Sequence, residues 1–76
     1  MKKVSETLAE RLKEERLYNN LTQLQMAERL NIPLRTYASY EAKTTLRHRD
    51  PDLDMLVKIA TILNTTLDYL TGKEQI

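Results

Sequence analysis

Hydrophobic residues recur every three or four positions along most of this chain, which is the spacing of one face of an α-helix. Within residues 22–41, TQLQMAERLNIPLRTYASYE, this spacing predicts two short helices, over 23–30 and 34–41. Asn31 lies between them, and Asn is the residue other than Gly that best tolerates the left-handed backbone of a tight turn. The segment therefore predicts a helix, a short turn and a second helix, with Thr22 as the cap of the first.

The second of these helices has two unlike faces. Tyr37 and Tyr40 fall on its buried side. The other side carries short or polar groups and one arginine, at Leu34, Arg35, Thr36, Ala38 and Ser39. A helix with such an outer face, placed after a tight turn, has the geometry that enters a DNA major groove. The pattern therefore predicts a nucleic-acid-binding module.

The same spacing predicts one helix before this segment. It begins with Ser5 as its cap and ends near Tyr18, and Leu8 and Leu12 face the core. Its other face is charged, and we expect only solubilising charge there, at Glu10, Arg11, Lys13, Glu14 and Glu15.

Two more helices are predicted in the C-terminal part of the chain. The fourth helix follows Pro51 and is capped by Asp52. Its hydrophobic stripe is predicted to face the core, at Leu53, Leu56, Ile59, Ala60 and Leu63. Asn64 then stops this helix, Thr66 caps a short fifth helix, and Gly72 ends it.

The composition supports a helical fold. A single Gly and two Pro in a chain rich in Leu, Glu, Lys, Arg and Ala are typical of an all-α protein. We expect a compact five-helix bundle that forms one domain, 1–76, near the lower size at which a hydrophobic core suffices. Short disordered ends are expected at 1–4 and 73–76.

The net charge of +1 does not by itself indicate a nucleic-acid partner, but its distribution does. Residues 33–49 carry four basic side chains and one acidic one, whereas residues 50–76 carry two basic and five acidic ones. Positive charge therefore concentrates on the helix 34–41 and on the loop after it, an arrangement that orients a protein on a polyanion. The alternative interpretation is an ordinary mixed, solvated surface.

The residues that several other functions need are missing. The chain has no Cys and a single His, His48, so we expect no disulfide, no metal site and no His-based catalytic triad. It also lacks a Gly-rich phosphate loop, and we expect neither an enzyme nor a cofactor. With no apolar run of about 20 residues and no signal peptide, the expectation is a cytoplasmic protein without a membrane span.

The helix–turn–helix segment resembles the XRE family, the helix-turn-helix proteins that include the lambdoid phage repressors and Cro. The family pattern T-Q-x-x-L-A-x-x-x-G-I/V-S-x-x-x-I-S-x-Y-E is matched at Thr22-Gln23, Met26-Ala27, Asn31-Ile32 and Tyr40-Glu41. Similarity continues at Pro51-Asp52-Leu53, Leu56, Ile59-Ala60, Leu63 and Leu67-Asp68-Tyr69-Leu70, and covers roughly residues 5–72. The resemblance implies a lambda-repressor-like domain that binds double-stranded DNA and regulates transcription, as a repressor.

The resemblance also implies which side chains read the DNA. By position in the family pattern, Leu34, Arg35 and Ser39 are expected to face base edges, with Thr36 and Ala38 as second choices. Arg35 suits guanine O6 and N7, and Leu34 suits a thymine methyl group. The Ser39 hydroxyl can donate to or accept from several bases.

Phosphate contacts are implied at the start of the helix 23–30 and in the loop after residue 41. The expected residues are Gln23, Thr22, Lys43, Thr44, Arg47 and Arg49. The loop departs from the family pattern, because Lys43 stands where Gly is usual and Pro51 comes several residues late. Related loops lie along the phosphate backbone, so the basic extension is expected to add phosphate or minor-groove contacts. The alternative is a mobile, solvated loop that contacts nothing specifically.

Two expectations concern how the helix 34–41 is held. In the family an Arg at the position of Arg16 pairs with the Glu of the Tyr-Glu dipeptide, here Glu41, and we expect this pair to set the angle of the helix. An ordinary surface arginine is the alternative. Tyr37 replaces the Ile or Val usual in the family, and we expect its ring in the core and its hydroxyl at the surface near the DNA.

In the phage repressors the last helix forms a two-fold dimer contact. Here Leu67, Tyr69 and Ile62, with Ile76, are the candidates for such a patch, in a weak homodimer on an inverted-repeat operator. Packing within the monomer is the alternative for Leu67 and the favoured interpretation for Leu70.

A second class of function stays open at this point. An antitoxin-like or coactivator-like module has another protein, such as a toxin, as its main partner. The exposed Leu34 and the acidic C-terminal half favour this hypothesis slightly.

Overall fold

A computed structural model of the protein describes residues 3–44 and 46–73. They form five α-helices and no strand: α1 Val4–Tyr18, α2 Gln23–Leu30, α3 Leu34–Glu41, α4 Leu53–Leu63 and α5 Leu67–Thr71. The prediction of an all-α, five-helix bundle is confirmed. Helix α1 packs against α3 and α5, and α2 packs against α3 and α4.

Side-chain caps fix the starts of three helices. Thr22 accepts a hydrogen bond from the Gln25 N–H at 3.0 Å, and the Gln25 side chain accepts one from the Thr22 N–H at 2.8 Å, which completes a capping box. The Asp52 carboxylate caps α4 by accepting from the Met55 N–H at 2.8 Å, and the Thr66 hydroxyl caps α5 by accepting from the Tyr69 N–H at 3.1 Å. The predicted caps of these three helices are confirmed.

Left-handed residues end three of the helices. Asn31 follows α2 with φ 58°, Asn64 follows α4 with φ 54°, and Gly72 follows α5 with φ 80°. Most L residues are strained in this left-handed conformation. The strain is absent for Gly, which has no Cβ atom, and it is small for Asn. At Gly72 a Cβ atom would also come within 3.0 Å of the Thr7 methyl carbon, so both the angle and the space favour Gly.

The core lies between the five helices. Its largest fully buried side chains come from all five helices: Tyr37, Leu12, Met26, Ile59, Leu63 and Leu70. The Tyr37 and Tyr40 rings pack edge to face with 6.0 Å between centroids. Helix α3 is therefore anchored through the two tyrosines that the hydrophobic spacing placed on its inner side.

Three expectations about helix α1 are wrong. Lys3, not Ser5, is its N-cap residue, and Ser5 lies inside the helix with its hydroxyl donating to Asp50 at 3.1 Å. Val4 is already helical, so the predicted disordered end 1–4 is too long. Arg11 does more than solubilise, because its guanidinium stacks on the Tyr69 ring 4.4 Å from the centroid.

One core expectation in α4 is also wrong. Leu53 is 67% exposed, whereas Ile59, Ala60 and Leu63 are buried as predicted. Leu53 is the first residue of the helix. Helical spacing assigns a residue to a face, but it does not tell where along the helix the core ends.

Across residues 3–44 and 46–73, none of the helices has both the length and the apolar character that crossing a bilayer requires.

Candidate nucleic-acid interface

The turn between α2 and α3 is closed by main-chain hydrogen bonds. The N–H groups of Asn31 and Ile32 donate to the carbonyls of Glu28 and Ala27 at 3.1 and 3.0 Å. Pro33 then enters α3 with φ −62° and ψ 147°, in extended conformation. This short connection fixes the direction of α3 relative to α2, so the geometry predicted for the helix–turn–helix is present.

The outer face of α3 is open to solvent. Leu34 is 44% exposed, Arg35 is exposed, and Thr36, Ala38 and Ser39 are partly exposed. The Ser39 hydroxyl donates to the Thr36 carbonyl at 2.6 Å, so its oxygen is left to accept a hydrogen bond from a partner. The five residues predicted to face base edges thus lie together on one accessible surface.

The residues 46–50 lie beside this surface; we call them the arginine segment. The Arg49 N–H donates to the Ser39 carbonyl at 3.0 Å. Arg49 shares a surface hollow with Arg35 and Ser39, and Arg47 lines a second hollow with Arg35 and Ala38. The arginine segment therefore extends the positive surface of α3.

The inner side of α3 is tied to α1 by a buried ion pair. Arg16 Nε lies 2.8 Å from Glu41 Oε2, and Arg16 Nη2 lies 3.1 Å from Glu41 Oε1, so the guanidinium grips both carboxylate oxygens. Arg16 Nη1 also donates to the Leu21 carbonyl at 2.9 Å. Arg16 and Glu41 are 7% and 8% exposed, and the hydrogen bond with Glu41 raises the pKa of Arg16 above its ordinary value.

Tyr37 fills the core, as expected, but its hydroxyl does not reach the surface. The ring is fully buried, and the hydroxyl has no hydrogen-bond partner among the described residues. Burial, followed by the neighbouring negative charge of Glu41, raises the pKa of Tyr37 well above its usual range. The expectation of a Tyr37 hydroxyl near the DNA is therefore wrong, because the ring of a residue on the inner face of α3 ends inside the protein.

The predicted phosphate contacts lie in different settings. The Gln23 amide nitrogen donates to Glu41 at 3.2 Å, and the Thr22 hydroxyl oxygen is engaged as a helix cap. Lys43 and Thr44 are exposed, and the Lys43 ammonium lies 4.0 Å from a Glu10 carboxylate oxygen.

The predicted dimer patch is only partly open. Ile62, Leu67 and Tyr69 are all half-buried and pack against the core, and Leu70 is fully buried. Arg11 covers one face of the Tyr69 ring and donates to its main-chain carbonyl. Ile76 lies outside the described residues.

Comparison of the sequence with models of known protein families identifies the family of this chain. A sequence profile described as Helix-turn-helix matches residues 12–70, which include every helix from the middle of α1 to α5. The chain belongs to the XRE family of helix-turn-helix proteins.

Several curated proteins are similar to this family member. It is 40% identical over 70 residues to "HTH-type transcriptional regulator ImmR" of Bacillus subtilis, covering 92% of this chain and 52% of that protein. It is 39% identical over 66 residues to "Cryptic phage CTXphi transcriptional repressor RstR" of Vibrio cholerae, covering 87% of this chain and 55% of that protein. The chain spans about half the length of the curated relatives it matches. No solved structure matches it.

One feature of this XRE domain was missed by sequence reasoning. His48 Nδ1 lies 3.0 Å from the Ala42 carbonyl oxygen, and His48 Nε2 lies 2.6 Å from Asp50 Oδ1. Asp50 in turn accepts from Ser5 of α1. The arginine segment is thus joined to the end of α3 and to the start of α1. No sequence signal indicates this network, because Ser5 and Asp50 are 45 positions apart.

Within the part of the chain that the structure describes, no three His, Cys, Asp or Glu side chains are grouped closely enough to hold a metal ion.

Proposed function

We propose that this chain binds double-stranded DNA sequence-specifically and regulates transcription, with helix α3 in the major groove. The observation that carries the proposal is the two-sided setting of α3. Its inner side is fixed by Tyr37 and by Glu41 in the ion pair, while its outer side presents Arg35 beside Arg47 and Arg49. A rigidly held helix with an open, cationic outer face is what major-groove reading requires.

The base contacts belong to the outer face of α3. Arg35 can donate two hydrogen bonds to guanine O6 and N7, and Leu34 can contact a thymine methyl group. The Ser39 oxygen accepts from a base donor such as an exocyclic amine. Thr36 and Ala38 are partly exposed on the same face and are the second candidates for base contacts.

The phosphate contacts flank this face. Arg47 and Arg49 of the arginine segment lie on one side, with the exposed Lys43 and Thr44 next to them in the chain. At the start of α2, Thr22 and Gln23 lie where main-chain N–H groups are also available to a phosphate oxygen; the second amide hydrogen of Gln23 is left for this contact. Such contacts set register and affinity rather than sequence preference.

We also propose that the protein works as a weak two-fold dimer on an inverted-repeat operator, through Ile62, Leu67 and Tyr69. Two α3 helices would then enter successive major grooves, with half-sites roughly 10–10.5 base pairs apart. Tyr69→Glu tests this, because the Arg11 guanidinium already lies over the ring and can donate hydrogen bonds to the new carboxylate without unfolding the domain. We expect that variant to lose cooperative operator binding. A footprint on a single half-site, or unchanged affinity, would rule out the symmetric dimer.

The direction of regulation, the domain extent and the site of action are inferred from the family and its named members. One relative is named a repressor, which supports repression over activation. We infer one domain over 1–76, a site of action in the cytoplasm where bacterial DNA lies, and a role in binding rather than in catalysis. The relatives are named as transcriptional regulators, and the hypothesis of a module whose main partner is a protein such as a toxin is not favoured.

The test is selection of bound DNA from a random duplex library. We expect an enriched inverted repeat, and loss of enrichment with Arg35→Ala while the fold is retained. Failure to enrich any sequence, together with a stoichiometric protein that copurifies from the native host, would overturn the proposal in favour of a protein partner.

A further inference from the structure

His48 is held between two hydrogen-bond acceptors. Its Nδ1 faces the main-chain carbonyl of Ala42, at the end of α3, and its Nε2 faces the carboxylate of Asp50. A neutral imidazole has one N–H donor and one acceptor nitrogen, whereas the imidazolium has two donors. Only the imidazolium therefore makes both hydrogen bonds when Asp50 is ionised.

Asp50 is ionised in this setting. The hydrogen bond from His48 lowers the pKa of Asp50 below its ordinary value; burial opposes this shift, and the hydrogen bond from Ser5 adds to it. The His48 side chain is 12% exposed and the Asp50 side chain 61% exposed, so the ring is enclosed while the carboxylate also contacts water.

The other charges around the ring are of both signs. Lys3 and Glu6 from α1, and Lys43 from the start of the loop, line the same hollow as His48 and the Ser5 hydroxyl. The lysines oppose protonation of the imidazole and the glutamate favours it. Of the charged groups that line this hollow or contact the ring, only Asp50 makes a hydrogen bond to it.

The ring sits between the two arginines of the interface. His48 separates Arg47 from Arg49 in the chain, and the Arg49 N–H is bonded to the Ser39 carbonyl of α3. Together with the His48–Ala42 hydrogen bond, this gives the arginine segment two attachments to the C-terminal end of α3. Deprotonation of the ring removes one of the two hydrogen bonds that His48 makes. The bare ring nitrogen then faces an oxygen that is also an acceptor, either the Ala42 carbonyl or the Asp50 carboxylate.

We propose that His48 is a positioning residue of the DNA-binding surface, whose imidazolium holds Arg47 and Arg49 beside α3, so that DNA affinity is higher with the imidazolium than with the neutral ring. This rests on the proposed function, because the arginines matter only if the partner is a polyanion.

The first arm of the test needs no DNA. His48 is the single histidine, so its ring protons in an NMR spectrum report its protonation state at each pH without overlap. We expect the protection factor of the Arg49 amide, corrected for the intrinsic pH dependence of exchange, to fall as the ring deprotonates. A protection factor that stays constant through that titration would overturn the proposal, whatever the protein binds.

The second arm measures affinity for a random-sequence DNA duplex between about pH 5.5 and pH 8. We expect wild type to lose roughly three- to tenfold in affinity, and the slope of log K against log salt to become shallower by about 1–2, as one or two phosphate contacts are released. His48→Gln should bind with no such pH dependence. Absence of DNA binding at every pH would contradict the proposed function and leave the first arm standing.

Asp50→Asn distinguishes two effects of the His48 proton: holding the arginine segment in place, and adding a positive charge near the DNA. Asn can turn its amide nitrogen to a neutral His48 while its oxygen still accepts from Ser5, so the attachment survives deprotonation. We expect the affinity of this variant to vary less than twofold over the same pH range. If protonation acts only by adding a positive charge near DNA, Asp50→Asn will keep the full wild-type pH dependence, and the proposal fails.

Discussion

The two sides of helix α3 differ in almost every physical respect. The inner side carries two buried tyrosines and a carboxylate gripped by Arg16, and it is closed to water. The outer side carries Leu34, Arg35 and partly exposed small residues, and it is open to solvent. One helix of eight residues therefore carries both buried groups that fix it to the core and exposed groups that are open to a partner.

Because one side of α3 is buried and the other is exposed, substitutions on the two sides should affect different properties, stability on the inner side and recognition on the outer side. Changes on the inner side act on the angle at which α3 is presented, and hence on stability first. Changes on the outer side, and at Arg47 and Arg49, should leave the fold intact and act on the binding of DNA. Variants on the two sides should therefore sort cleanly into two classes, each with its own measurement.

The largest effect is expected at the inner ion pair. Arg16→Met leaves the Glu41 carboxylate buried without its partner, and we expect a loss of about 3–5 kcal/mol in the free energy of unfolding. For a domain of this size, each kcal/mol of lost stability lowers Tm by about 4–8 °C. Denaturant unfolding measures it, with Lys13→Met on the exposed side of α1 as the matched control.

The pair is tested further by the double change. Arg16→Met with Glu41→Leu removes both charges and should recover much of the stability, because no buried charge is left unpaired. If Arg16→Met alone leaves the unfolding transition unchanged, the inner side is not held as described.

The next effect belongs to the outer side. Arg35→Ala should weaken binding to the selected DNA site by about 1–3 kcal/mol and relax the preference at one base pair, without changing Tm. Competition titrations with single-base-pair variants of the site measure this, and Arg29→Ala on the exposed surface of α2 is the control. Equal weakening on every sequence would make Arg35 a phosphate contact instead.

The arginine segment should affect all DNA sequences alike. Replacing Arg47 and Arg49 together by Ala is expected to reduce the slope of log K against log salt by roughly 2 per bound subunit, since each phosphate contact releases about 0.9 counterions. Salt titrations on specific and random duplexes measure it. A slope equal to that of wild type would mean that the segment stays in solvent when DNA binds.

The smallest effect is expected at the turn that joins the two helices. Asn31 has φ 58°, so Asn31→Ala should cost about 1 kcal/mol of stability, while Asn31→Gly should be close to neutral. Affinity per folded molecule should not change for either variant. An Ala variant as stable as the Gly variant would show that the turn relaxes away from the left-handed conformation.

The local elements could be predicted from sequence because they depend on neighbours in the chain. Thr22, Asp52 and Thr66 are caps whose partners lie three residues on, and Asn31 and Asn64 stop helices through their own backbone preference. Periodicity likewise placed the tyrosines of α3 on its inner side.

The errors arise where distant parts of the chain meet. Ser is a common N-cap residue, but the Ser5 hydroxyl donates to Asp50, which lies 45 positions away in the chain. Arg11 contacts the Tyr69 ring because α5 packs on α1. The depth of the core, which buries the Tyr37 hydroxyl and leaves Leu53 exposed, is also set by packing between helices. None of these follows from local pattern.

The outer side of α3 and the arginine segment are proposed to form the DNA-binding surface together. The most direct test is NMR mapping of main-chain amide shifts when the protein is titrated with a duplex selected from a random library. We expect the largest shifts at 34–39 and 46–50, with smaller ones at the start of α2. Largest shifts on α4 and α5, or no shifts with any duplex, would contradict it.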